Sequence, residues 1–170
     1  MIEIRPARAE DAASLVALGT AVGGEEGAWL LTSAGWRTVA EERRYLRALK
    51  RYPDAAVYVA EDDGQLVGRL SLGRDPHPAS HHVADLGLMV AASHRRRGVG
   101  RMLLEQAADW AREAGVRKLE LHVFPWNEPA IRLYETFGFE REGLRREHYL
   151  RDGEYVNAIL MAYRLPPPTS

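Results

Sequence analysis

The stretch LGLMVAASHRRRGVGRMLLEQA, residues 86–107, limits the possible folds more than any other part of the chain. Its first residues, Leu86 to Val90, read as a strand. A basic turn then leads into a segment whose Val99, Met102, Leu103, Trp110, Ala111 and Ala114 share one helical face, with Gly115 as the stop. A strand that turns directly into a helix presents the helix N-terminus, where first-turn N–H groups lack intrahelical partners and carry the positive end of the helix dipole. Gly98 and Gly100 allow close backbone approach there, and Arg95, Arg96 and Arg97 add charge-assisted hydrogen-bond donors. The combination suits an anion with more than one phosphate. Solvated arginines beside a plain Gly-x-Gly turn would carry the same letters. GVGRML lacks the third glycine of a dinucleotide fingerprint, and no Gly-Lys-Ser/Thr follows, so neither a Rossmann cofactor nor a P-loop nucleotide is supported.

Strands and helices surround this unit. Ile2 to Ile4 reads as a short strand stopped by Pro6, and Glu10 to Leu18 as a helix that fails at Gly19, Gly23 and Gly24. Residues 22–37, with Trp29 and Trp36 among small residues, read as a shaped loop. Thr38 and Glu41 have capping-box spacing and open a helix running to Arg51. Val57 to Ala60 and Leu66 to Leu72, joined by Glu61-Asp62-Asp63-Gly64, form an antiparallel hairpin, and residues 74–82 a polar loop. Lys118 to Val123 alternates as a strand. Asn127 to Phe137 fits a helix with Pro129 in its first turn and Gly138 at its end, and two strands at about 139–149 and 154–164 flank Arg151-Asp152-Gly153. This order predicts one mixed α/β domain over residues 1–165, with 166–170 as a frayed tail.

Composition removes several function classes. A length of 170 residues suits one domain with its own core, and a net charge of −1 gives no basic field for nucleic acid or an acidic membrane as the main partner. The absence of cysteine excludes disulfides, a cysteine nucleophile and a cysteine-based zinc site, and it suits a reducing compartment. No run approaches the ~18 apolar residues of a membrane span, and the start MIEIRPAR has no long apolar stretch, so a soluble cytoplasmic protein is expected. His77, His81 and His82 share a loop without further ligands in metal spacing, and no metal is expected.

A second segment, NEPAIRLYETFGF at Asn127 to Phe139, carries more specific information. Asn127, Ala130 and Tyr134 fall on one helical face, where the small Ala130 leaves room for a ligand. An N-cap role for Asn127 and a core role for Tyr134 fit the same letters. This segment resembles the NxxAxxLYxxxGF segment of the GNAT N-acetyltransferase superfamily, and Arg95-x-x-Gly98-x-Gly100, between its strand and its helix, resembles that family's motif A. The likeness is close over residues 83–145. It implies a single-domain α/β (α+β) fold, with a mixed central sheet splayed between its fourth and fifth strands and flanked by helices. Acetyl-CoA would enter that slot as co-substrate, like a missing strand. By the resemblance, Arg95, Arg96, Arg97, Gly98, Val99, Gly100 and Arg101 hold the pyrophosphate, and Asn127 and Ala130 border the pantetheine arm. A backbone N–H near Met89 or Val90 faces the thioester oxygen, and Tyr134 stands near the sulfur.

The implied activity is transfer of an acetyl group to a primary amine by direct attack in a ternary complex. Amide formation needs a proton acceptor for the amine, a fixed donor for the oxyanion and a group that meets the departing thiolate. Tyr134 is the expected acid and Asp85 the first choice of base, with Glu25, Glu26, His81 and His82 in reserve. Glu25, Glu26, Trp29, Trp36, His148, Tyr149 and Tyr155 are the expected acceptor-site lining. The acceptor is expected to be a small amine such as an amino acid or polyamine. A protein N-terminus or ribosomal protein is the alternative, and a non-catalytic acetyl-CoA-sensing module a third reading. A homodimer through the last strands is expected by analogy, with no nucleic-acid or membrane partner.

Overall fold

The computed structural model describes residues 1–31 and 37–167. In chain order its elements are β1 (Ile2–Pro6), α1 (Ala12–Gly23), α2 (Val39–Ala48), β2 (Ala55–Asp62), β3 (Gln65–Arg74), β4 (Val83–Val90), α3 (Val99–Ala114), β5 (Lys118–Val123), α4 (Glu128–Phe137), β6 (Glu140–Arg151) and β7 (Glu154–Arg164). The strands form one sheet in the order β1-β2-β3-β4-β5-β7-β6. Every neighbouring pair is antiparallel except β4 and β5.

Local chemistry explains most element ends. Thr38 Oγ1 accepts from the Glu41 N–H at 3.2 Å while the Glu41 carboxylate accepts from the Thr38 N–H at 2.9 Å, so the reciprocal capping box opens α2. Asp63-Gly64 and Asp152-Gly153 all have positive φ, which matches the twist of two-residue hairpin turns joining β2 to β3 and β6 to β7. Helix α1 departs from the sequence expectation. It continues through Gly19 to Gly23, because Leu18, Gly19 and Val22 are buried and that packing outweighs the helix penalty of glycine, about 1 kcal/mol. Strand β4 also starts earlier than Leu86, at Val83, where pairing with Lys118 of β5 extends it back to the end of the polar loop.

The main core lies between the sheet and α3, whose Val99, Leu103, Leu104, Ala107 and Ala111 are buried against Leu70, Ala84, Leu86 and Leu119. On the other face α1 and α2 pack Ala12, Leu15 and Leu46 onto Val57 and Val59. Pairing between β4 and β5 covers only Val83, Ala84 and Asp85 against Lys118, Leu119 and Glu120. Strand β4 stays paired to β3 as far as Val90, and β5 stays paired to β7 as far as Val123. Past Asp85 the sheet therefore opens between two strands that are each held from behind.

Candidate active site

The opening is a cavity of about 590 Å³. Its walls are β4 from Leu86 to Val90, β5 from Leu121 to Val123, the start of α3 and the inner face of α4, with Val22, Trp29 and Leu30 on the α1 side. Strand pairing determines which backbone groups face it. The Ala91 N–H donates to Val67 O at 2.8 Å and the Asp75 N–H donates to Val83 O at 2.9 Å, so odd-numbered residues at this edge bond toward β3. Antiparallel alternation then turns the N–H and C=O groups of Leu88 and Val90 toward the gap. Of the two expected donors, Met89 and Val90, it is Val90 whose N–H faces the cavity, while Met89 contributes a buried side chain packed on Leu18 and Val22.

The turn after β4 divides its labour. Gly98 has φ of +83°, a left-handed conformation natural to glycine, and no atom lies within 4 Å of where a Cβ would be. That open space lies at the first turn of α3. Gly100 answers a different need, since a Cβ there would stand 2.7 Å from Leu133 Cδ2 of α4. It is small for helix packing as well as for the cavity. Val99, Arg96 and Arg101 also border the cavity, and Arg101 pairs with Glu105 at 3.3 Å.

The structure places the arginines of this turn differently from one another. Arg97 is exposed, 3.9 Å from Asp62, and does not line the cavity. Arg95 lines it, but its guanidinium is committed: Nε donates to Val90 O at 3.1 Å, and its two terminal nitrogens donate to the Glu25 carboxylate at 2.8 and 2.6 Å. Glu25, expected in the acceptor site, is therefore a clasp between the loop after α1 and the turn before α3. Two more bonds fasten that loop. Trp126 Nε1 donates to Gly27 O and Arg151 donates to Leu30 O, each at 3.0 Å.

Helix α4 brings three expected residues together. Asn127 Oδ1 accepts from the Ala130 N–H at 3.3 Å, so Asn127 caps the helix and also borders the cavity. Ala130 and Tyr134 follow on the same wall. Tyr134 is buried beside Phe139, and burial raises the pKa of its phenol well above the ordinary tyrosine range. At neutral pH it is therefore a neutral O–H donor.

The acceptor face is less close to expectation. Asp85 does not line the cavity. It is an exposed residue at the last β4–β5 pair, its carboxylate lies over Gly73, and desolvation there raises its pKa. Trp29 lines the cavity, and its indole occupies the space that a side chain on Gly27 would need. Trp36 lies outside the described residues. Glu26 is exposed, Tyr155 is 69% exposed on the β6–β7 hairpin, and neither reaches the cavity. Tyr149 stands behind the wall and hydrogen-bonds His122 Nδ1 at 2.7 Å. His122 does line the cavity and was not among the expected residues. Its signal was the alternation of Lys118 to Val123, which buries Leu119, Leu121 and Val123 in the core and sends His122 to the other face. His81 sits 3.8 Å from Asp54 and His77 Nδ1 accepts from the Ala79 N–H, so these histidines serve the loop before β4.

Comparison with known proteins agrees with this architecture. The Acetyltransferase (GNAT) family model matches residues 27–139. The L-amino acid N-acetyltransferase AaaT of Escherichia coli is 40% identical over 65% of this chain and 68% of its own. The [ribosomal protein bS18]-alanine N-acetyltransferase of Salmonella typhimurium is 41% identical over 44% of this chain, a match spanning about half, 51%, of that relative. The structure of the Salmonella typhimurium acetyltransferase yncA with its cofactor acetyl-CoA superposes with a TM-score of 0.86 over 100% of this chain and 97% of that one, at 20% identity, and so shares its fold. A sheet that opens between β4 and β5, a glycine turn at one end of the gap and a family match over residues 27–139 lead to one assignment: the chain belongs to the acetyltransferase (GNAT) family and is an acetyl-CoA-dependent N-acetyltransferase.

Proposed function

We propose that the protein acetylates the primary amine of a small molecule, an amino acid or similar compound, by direct attack within a ternary complex. The observation that carries this reading is the single continuous cavity, which runs from the Gly98 turn past the inward backbone edge of β4 and Tyr134 to an apolar patch of Val22, Trp29 and Leu30. Acetyl-CoA fits it as a substrate by the chemistry of the walls. The space over Gly98 and the N-terminus of α3 accept phosphate, and the inward N–H and C=O of Leu88 with the N–H of Val90 suit an extended amide-bearing chain. Its thioester supplies the acetyl group.

The residues then have distinct tasks. Val90 N–H donates to the carbonyl oxygen as negative charge develops there. Tyr134, neutral through burial, donates a hydrogen bond to the departing sulfur. Arg96 and Arg101 supply positive charge beside the phosphates, whereas Arg95 acts through its bonds to Val90 and Glu25 and shapes the turn. The loop carrying Trp29 and Leu30 offers an apolar wall to the acceptor. The likeness to the Escherichia coli amino-acid enzyme supports a small-molecule acceptor, and the likeness to the ribosomal-protein enzyme makes a peptide N-terminus the second reading.

The test is thiol release from acetyl-CoA by purified protein with amino acids, polyamines, aminoglycosides and N-terminal peptides, against a control without acceptor. Release that depends on a small amine is expected. Release only with peptides would transfer the assignment to protein N-termini. Binding of acetyl-CoA without release from any acceptor would favour a sensing module.

A further inference from the structure

We propose that His122 is the proton acceptor for the amine and that Tyr149 positions it, an assignment that rests on the acetyltransferase reading above. The geometry begins with the splay. Strand β5 pairs with β4 only as far as Glu120, so His122, two residues on and on the same face, stands where the strands have parted and borders the cavity. The cavity's other edge there is Gly87, Leu88 and Met89 of β4, with Val90 beyond. On the α1 face of the sheet His122 is the imidazole that lines the cavity among the described residues; the other lining histidine, His94, belongs to the turn before α3 and bonds Asp62 and Ser93.

The surroundings of His122 orient the ring and select its protonation state. Its Nδ1 lies 2.7 Å from Tyr149 Oη. With Nδ1 carrying the hydrogen and donating to that oxygen, Nε2 presents a lone pair, which is the tautomer that a base requires. The rings of Tyr149 and His148 meet it edge to face at 5.9 and 5.5 Å, and Tyr149 meets His148 at 4.9 Å, so the three hold one another's angles. The charged and titratable groups around it are Asp85 of β4 and Arg145, His148 and Tyr149 of β6, while β7 sets apolar Leu160 opposite it. Burial first, then Arg145 and His148, lower the His122 pKa below the ordinary histidine value, and Asp85 opposes them. At neutral pH the ring is therefore uncharged and able to take a proton. Asp85, off the cavity wall, acts on this ring by charge alone.

The proton account closes. An amine arrives mostly as ammonium, because its pKa is about 10.4. His122 Nε2 takes one proton, the freed nitrogen lone pair forms the C–N bond, and the C–S bond breaks. A second proton leaves the nitrogen and ends on sulfur, giving the amide, the free thiol and imidazolium, which returns its proton to water.

The experiment is the pH dependence of kcat/KM for the best acceptor found in the thiol-release panel, on wild type, His122→Gln, Tyr149→Phe and Asp85→Asn. Acetyl-CoA binding and the thermal midpoint are measured on each. Wild type should rise through the His122 pKa at acid pH and run level to about pH 9. His122→Gln should bind acetyl-CoA normally yet lose ~10²- to 10⁴-fold at pH 7. It should climb tenfold per pH unit throughout, following free amine. Tyr149→Phe, at a partly exposed site, should keep the fold, lose ~10-fold and shift the acid limb, which loss of mere packing would not do. A level profile in His122→Gln within a few-fold of wild type, or the tenfold slope appearing in Asp85→Asn instead, overturns the assignment. If His122→Gln does not fold, an unshifted limb in Tyr149→Phe overturns it. Failure of wild type to release thiol with any acceptor would count against the proposed function instead.

Discussion

Glu42 gives the most demanding test of the packing argument. It is fully buried on α2 and accepts from Arg69 at 3.0 Å and from Arg37 at 3.4 Å. Arg69 is itself 6% exposed, on β3, so the pair spans the layer between helix and sheet. Replacing Glu42 by leucine keeps volume and helix propensity but leaves the Arg69 charge without this carboxylate, a change that costs ~3–5 kcal/mol at buried pairs. Arg37 is about half exposed and adds only ~0.2–1 kcal/mol. Arg69 also borders the cavity, where water can solvate part of its charge, so the lower end is expected, about 3 kcal/mol. At ~2–4 °C per kcal/mol for a chain of this size, the thermal midpoint should fall by about 6–12 °C. Adding Arg69→Met removes the second charge of the pair and should bring the midpoint back toward that of wild type. Urea unfolding followed by circular dichroism on both variants reads this directly. A loss below 1 kcal/mol in Glu42→Leu, or a double variant as weak as the single one, would show that the pair is not what joins α2 to β3.

Further outcomes follow from other sites. Tyr134→Phe should leave acetyl-CoA affinity unchanged in a calorimetric titration and lower turnover ~10²-fold, because in the proposed mechanism only the hydroxyl that meets the departing sulfur is lost. Gly98→Glu should abolish acetyl-CoA binding through like-charge repulsion over the α3 N-terminus, while Gly98→Ala should cost ~1–2 kcal/mol of stability from its positive φ alone, measured by urea unfolding. Asp11 pairs with Arg5 at 2.8 and 2.9 Å; burial opposes its charge, but the Arg5 and Arg8 hydrogen bonds prevail and lower its pKa. Its contribution is therefore present above the ordinary carboxylate pKa and is lost as pH falls through the lowered one. The stability gap between wild type and Asp11→Asn should be constant near neutrality and close below about pH 4.

What could be read from the letters was whatever has a local cause. The capping box at Thr38 and Glu41, the two Asp-Gly turns and the alternation of β5 are set by neighbours within a few residues, and the structure reproduces them. Gly19 misled because its place in α1 is decided by distant packing, which no local rule contains. The site divides the same way. Asn127, Ala130 and Tyr134 share a face because a helix has a fixed period. Arg95 pairs with Glu25, 70 positions away, and His122 with Tyr149, 27 away, so those partnerships depend on the order of strands in the sheet and are invisible to spacing.

The parted strands have one more consequence. A strand with unpaired amide groups is ordinarily a hazard, since it invites another polypeptide to add to the sheet, and proteins usually keep such edges at the rim and guard them with charge. Here the edge is internal. Helices α3 and α4 line one side of it and Trp29, Leu30 and Leu31 the other, so whatever pairs with this edge must thread between helices and loop. A molecule that completes the ladder there must be extended and carry amide groups. The fold thereby keeps an edge that could recruit another chain inside the slot proposed for its own substrate.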